Sequence, residues 1–182
     1  MQNLRQKADG TAEYLNGSDQ ATMTIGATVS PRCFHTGGIT VTQTTDGNDT
    51  TPVTTETYIA EVFIPCGTLL TGIALFNGSA VAGNIKLGLA DSTGAVVAST
   101  ASTAASGTDA FQRVPFSSTY YATGPSTYYV LLQCNNTSNR FNSHIAGNFG
   151  ASKKTSEVFG TLTTITPPTT FTTALGPIAS LY

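Results

Sequence analysis

The sequence predicts an all-β protein, a jelly-roll-like antiparallel β-sandwich with an extended N-terminal arm. Three observations carry this expectation. Short runs of alternating apolar residues recur at near-regular spacing from residue 57 onward. Gly, Asn, Asp and Ser separate them. No window sustains an apolar stripe at i, i+3, i+4 over three helical turns. Charged residues make up 10% of the 182-residue chain, against about 25% in an average globular domain. Thr, Ser, Ala and Gly take their place, and β-branched Thr favours strands over coil.

Each element follows from the same alternation. Residues 1–20 hold five of the eighteen charged side chains and few large apolar ones, namely Leu4, Tyr14 and Leu15. That is too little to form a core, so residues 1–56 are expected as an arm or small hairpin segment. Within them, 22–29 alternates and ends at Pro31, and 38–43 is a second short strand candidate. Residues 44–52 are a loop by composition, with Asp46-Gly47 as a turn signal. The sandwich is expected over 57–182. Its strands are expected at 58–65, 69–76, 84–90, 95–98, 111–116, 128–134, 140–146 and 157–165. Asn77-Gly78 and 91–94 are turns between them, and 101–108 is a small-residue loop. About eight strands suit two packed sheets.

Charge and length exclude several functions. The net charge is −2 and Lys153-Lys154 is the only basic pair, so binding to a nucleic-acid backbone is not expected. No run of 18 apolar residues suggests a membrane span. The first residues lack the apolar stretch of a signal peptide, so the chain is expected to be made in the cytosol and kept there or assembled from it. The five sequons, at Asn16, Asn48, Asn77, Asn135 and Asn136, then read as chance in a Thr- and Asn-rich chain.

Candidate chemistry is sparse. Cys33, Cys66 and Cys134 are an odd number, and Cys66 and Cys134 end β-runs where small packed thiols are common. Cys33 and His35 lack a local third group that would make a nucleophilic pair. Cys-Phe-His offers two metal ligands without a second pair at finger spacing, so no metal or cofactor is expected. A glycosidase needs two carboxyls flanking one bond, and the sequence leaves open which two of the ten carboxylates meet in space; Glu61 is expected to face solvent and Asp91 to start a turn. No phosphate loop, dinucleotide fingerprint or nucleophile elbow occurs, and no enzymatic activity is expected. Tyr120-Tyr121 and Tyr128-Tyr129 bracket a Gly-Pro loop. Neighbours in a strand alternate faces, so one tyrosine of each pair is expected in the core. The other is available for a protein interface or a sugar ring.

The run Asn84-Ile-Lys-Leu-Gly-Leu-Ala-Asp-Ser-Thr-Gly-Ala-Val-Val-Ala-Ser, then Phe111-Gln-Arg-Val-Pro-Phe and Tyr128-Tyr-Val-Leu-Leu-Gln, resembles the small β-sandwich virion proteins of tailed bacteriophages. The end, with Phe149-Gly-Ala-Ser-Lys-Lys, Phe159-Gly-Thr, Pro167-Pro-Thr-Thr-Phe and Gly176-Pro-Ile-Ala-Ser-Leu-Tyr, is similar to the same group. The resemblance covers 57–182. It implies a capsid cement or decoration protein bound to the major capsid protein of the shell, or alternatively the receptor- or carbohydrate-binding head of a tail fibre. It also implies a homotrimer, a place in the virion, and no catalytic motif. Leu4, Tyr14 and Leu15 of the arm, with Tyr120 and Tyr121, are the expected partner-binding residues.

Overall fold

A computed structural model describes residues 3–6, 12–15, 21–25, 34–38 and 47–182. Contacts divide the chain into two units, Met1–Pro31 and Arg32–Tyr182. The first holds β1 (Asn3–Gln6), β2 (Ala12–Leu15) and β3 (Ala21–Ile25). They form an antiparallel sheet in the order β1-β2-β3. The boundary at Pro31 differs from the expected division at 56/57, because Phe34–His35 and Gly47–Thr50 pair with strands of the second unit.

In the second unit, β4 (Phe34–His35) runs into a short 3-10 turn at Thr36–Gly38, and β5 spans Gly47–Thr50. Then come β6 (Thr57–Ile64), β7 (Thr68–Phe76), β8 (Asn84–Ala90), β9 (Val96–Ser99) and β10 (Thr103–Ala104). The chain continues as β11 (Phe111–Ala122), β12 (Ser126–Cys134), β13 (Phe141–His144), β14 (Ala151–Lys154) and β15 (Ala179–Leu181). No α-helix occurs among the described residues.

Two antiparallel sheets make the sandwich. One has the order β10-β8-β12-β6-β14, with β9 paired to β8; the other is β11-β7-β15-β4. Alternation sends Tyr58, Val62 and Ile64 of β6, and Tyr128, Val130 and Leu132 of β12, into the space between the sheets. Leu70, Ile73 and Leu75 of β7, Val114 of β11 and Leu181 of β15 meet them there. Each of these side chains is buried to 2% exposure or less, and full burial of one stabilises by about 1.5–3 kcal/mol relative to leaving it in water.

A second, smaller apolar layer lies on the outer face of the first sheet. Ile59, Leu131 and Tyr129 point there, because their strand neighbours point inward. Ile165 and Leu162 cover them. Both belong to residues 157–165, which were expected to be a strand. Instead this stretch is a strap, and its alternation serves to cap a sheet face from outside. Side chains hold it there: Gln133 Oε1 accepts Gly160 N–H at 3.0 Å, and Gln133 Nε2 donates to Thr161 O at 3.0 Å.

Three further expectations are corrected. Residues 47–50, expected as loop, form β5 against β13, with Thr50 and Ser143 hydroxyls 2.6 Å apart. The 101–108 loop contains β10 on the edge of β8. The strand at 111–116 extends to Ala122, so Tyr120 and Tyr121 are strand residues. There the register of β11 on β7 jumps from Pro115↔Gly72 to Tyr120↔Leu70. The residues between form a bulge, and Phe116 bridges to Thr100 instead. The strand candidate at 38–43 falls, beyond Gly38, outside the described residues.

Candidate partner-binding surface

One end of the sandwich carries exposed apolar side chains on both sheets. The β6–β7 turn at 65–67 packs against the β11–β12 turn, where a Cβ on Gly124 would lie 2.6 Å from Cys66 N and 2.7 Å from Ile64 O. Only a glycine lets the two backbones approach so closely. This contact brings the end of β6, the start of β7 and the end of β11 together. Tyr121 and Leu69 are direct register partners on the outer face of their sheet. They are 61% and 57% exposed, and Phe63, on the other sheet, is 53% exposed. The Tyr121 hydroxyl rests on Gly67, where any Cβ would overlap it.

Tyr120 faces the other way. It packs on the inter-sheet core, edge-on to Tyr128 with ring centroids 6.3 Å apart. Burial pushes its hydroxyl up to about 12, and the neighbouring Tyr128 hydroxyl adds to the rise. So of the first tyrosine pair one belongs to the core and one to the surface. The second pair is different, since Tyr128 and Tyr129 are both buried. Tyr128 lies between the sheets and Tyr129 lies under the strap. The Tyr128 hydroxyl donates to Thr123 O at 3.1 Å and accepts Thr123 N–H at 3.0 Å, which satisfies it without solvent.

Leu4, Tyr14 and Leu15 lie on β1 and β2 of the first unit, where Leu4 is the register partner of Tyr14 and Leu15 of Asn3. They are therefore in a sheet of their own. Tyr120 and Tyr121 belong to the second unit.

A second feature was missed by sequence reasoning. Across the β11-β7-β15-β4 sheet, Arg113, Ala74, Ser180 and His35 stand side by side in register. The Arg113 guanidinium carbon sits 4.4 Å from the centroid of the Tyr182 ring. Phe111, 42% exposed, stacks on Phe76 at 4.9 Å and meets His35 edge-on at 6.2 Å. Burial lowers the His35 pKa and so favours the neutral ring. These residues are far apart in sequence, and only strand pairing aligns them. The Cys33–His35 pair cannot be placed, as Cys33 lies outside the described residues.

Other expected groups have ordinary structural surroundings. Asp91 Oδ1 accepts from Thr93 N (2.9 Å), Thr93 Oγ1 (2.6 Å) and Ala95 N (3.1 Å), as expected of a turn-starting residue. The Thr93 hydroxyl leads the effects that hold its carboxyl below the usual range. Glu61 does not face free solvent; its Oε2 accepts Gly150 N–H at 2.7 Å and fixes the start of β14. Cys134 is buried, whereas Cys66 is exposed in its turn, contrary to the expected packed thiol. Among the described residues, no three of His, Cys, Asp and Glu gather to hold a metal ion.

The fold and surface thus define an antiparallel β-sandwich with an exposed apolar pair, Leu69 and Tyr121, at one end. No protein family, curated protein or solved structure matches this chain.

Proposed function

We propose that this chain is a structural protein of a tailed-phage virion, a capsid cement or decoration protein. It docks on the major capsid protein of the shell as a homo-oligomer, a trimer by the resemblance. The jelly-roll-like sandwich serves as its rigid frame, and the N-terminal segment with Leu4, Tyr14 and Leu15 as an additional contact. The observation that carries this reading is the exposed cross-strand pair Leu69–Tyr121. Apolar and aromatic side chains presented on rigid strands are the kind of anchor that dominates protein interfaces. Association must overcome about 4–15 kcal/mol of lost freedom, and pre-formed strands lower that cost. The resemblance of residues 57–182 to phage virion proteins supplies the partner.

A second reading is a receptor- or carbohydrate-binding head of a tail fibre. It is favoured by the Arg113–Tyr182 stack and the Phe111–His35 edge contact, which combine flat rings with hydrogen-bond donors.

Antibody labelling of intact particles by electron microscopy tests both. Label spread over the heads, lost for the Leu69→Asp/Tyr121→Asp variant, is the expected result. Label confined to the tail tip selects the fibre reading. Particles without label overturn both.

A further inference from the structure

The strap does not close on the sheet it covers. After Ile165 the chain runs back past the free edge of β14. Lys154 Nζ donates to Thr164 O at 3.1 Å at one end. At the other end, Ala151 N–H donates to Thr170 O at 3.1 Å and Thr172 N–H to Ala151 O at 2.9 Å. Between these ties lies a groove of about 520 Å³, with Ile59, Ser152 and Lys153 on one side and Thr166, Pro167 and Pro168 on the other. Its volume is within the range of ligand pockets, about 300–1,000 Å³. The prolines account for the gap: neither has an N–H to donate toward β14.

The ladder defines what the groove offers. Glu61 N–H bonds Gly150 O at 2.8 Å, which makes Ala151↔Ala60 a non-hydrogen-bonded pair of the antiparallel ladder. Two residues on, Lys153↔Tyr58 is the same kind of pair. The N–H and C=O of Ala151 and Lys153 therefore point away from β6, toward the groove. Thr170 and Thr172 answer those of Ala151. Among the described residues no backbone group answers those of Lys153. Charge is already spent inside the chain: Lys153 Nζ is 2.6 Å from Glu56 Oε1, and Lys154 Nζ is 2.8 Å from Glu157 Oε1. What remains is a strand edge with one open donor–acceptor pair, beside threonine hydroxyls and proline rings.

We propose that this groove accepts an extended, uncharged peptide segment of a partner protein, which adds to β14 as a strand and bonds the N–H and C=O of Lys153. Strand addition to an open edge draws affinity from main-chain bonds and selectivity from side-chain pockets. The proposal is independent of whether that partner is a capsid protein.

The test is residue-resolved amide exchange on the isotope-labelled full chain. The probe is an end-capped octapeptide alternating threonine and valine, and its fully N-methylated analogue is the control. The expected result is that the parent peptide slows exchange at Lys153 by about tenfold or more, with Ala151, already bonded, unchanged. The Thr166→Trp variant, which fills the groove from its exposed wall, loses this protection while its circular dichroism is retained. Unchanged exchange at Lys153 with millimolar peptide overturns the proposal. Equal protection by the N-methylated analogue overturns it too, as does tighter binding of an octapeptide alternating threonine and aspartate.

Discussion

Gly94 and Ile165 join the β8–β9 turn to the strap through their backbones. Ile165 N–H donates to Gly94 O at 3.0 Å, and a Cβ on Gly94 would overlap the Ile165 carbonyl oxygen. Gly94 also has a φ of +89°, which side-chain-bearing residues rarely adopt. Gly94→Ala thus meets two penalties, backbone strain of about 1–2 kcal/mol and an overlap that moves the strap. Gly107, with a φ of +80°, has only the Ala110 Cβ near, at 3.6 Å. Gly107→Ala is the control that carries strain alone. In urea denaturation Gly94→Ala is expected to lose about 1–2 kcal/mol more than Gly107→Ala. Equal losses would show that the turn and the strap are not in contact.

Acid should release the same strap. Glu157 accepts hydrogen bonds from Thr163 at 3.1 Å and Thr57 at 3.3 Å, besides its ion pair with Lys154. Burial raises its pKa, but the bonds from Lys154, Thr163 and Thr57 outweigh that, so the carboxyl titrates below its usual value. A depressed folded pKa means stability present above the unfolded value of about 4.3 and lost as pH falls through the folded value. Glu157→Gln is expected to cost about 1–2 kcal/mol near pH 7. The gap to the parent should shrink below about pH 4. Denaturation midpoints across pH 2–7 measure it, and a constant gap would count against this role.

The two described cysteines should differ sharply toward a thiol reagent. Cys66 is exposed, whereas Cys134 is buried. Burial pushes the Cys134 thiol up to about 12, against a small opposing effect from Asn139 Nδ2, 3.5 Å from its sulfur. The thiolate is the reactive form. Peptide mapping after native iodoacetamide treatment is expected to find Cys66 modified and Cys134 modified only after denaturation. Early labelling of Cys134 would contradict the packing described.

Truncation distinguishes the two domain boundaries. Thr36 Oγ1 donates to Pro177 O at 2.9 Å, accepts Ala179 N–H at 3.1 Å and lies 2.9 Å from His144 Nε2. Phe34 joins the core opposite. A chain of residues 32–182 is expected to unfold in one transition. Starting at residue 57 removes Phe34, Thr36 and β5, and is expected to cost more than about 3 kcal/mol. Equal stability of the two chains would restore the boundary at 56/57.

Local alternation was enough to reach the all-β class and most strand positions of the sandwich. Residues such as 84–90 and 128–134 alternate strongly, and a period of two has one regular solution, a strand with one face buried. The same signal failed at 157–165, because alternation says that a face is buried but not whether ladder bonds accompany it. That stretch buries Leu162 and Ile165 against a sheet face rather than a sheet edge. Residues 47–50 failed in the opposite sense: a polar, turn-rich segment became β5 because β13 offered it a partner. The exposed tyrosine of the 120/121 pair followed from parity, but its pairing with Leu69 depended on the bulge after Pro115. The Arg113–Tyr182 stack and the open edge at Lys153 had no sequence signal at all. Local pattern reports how each residue is buried; which distant strands meet is decided by packing across the whole fold, and the surface they assemble exists only there.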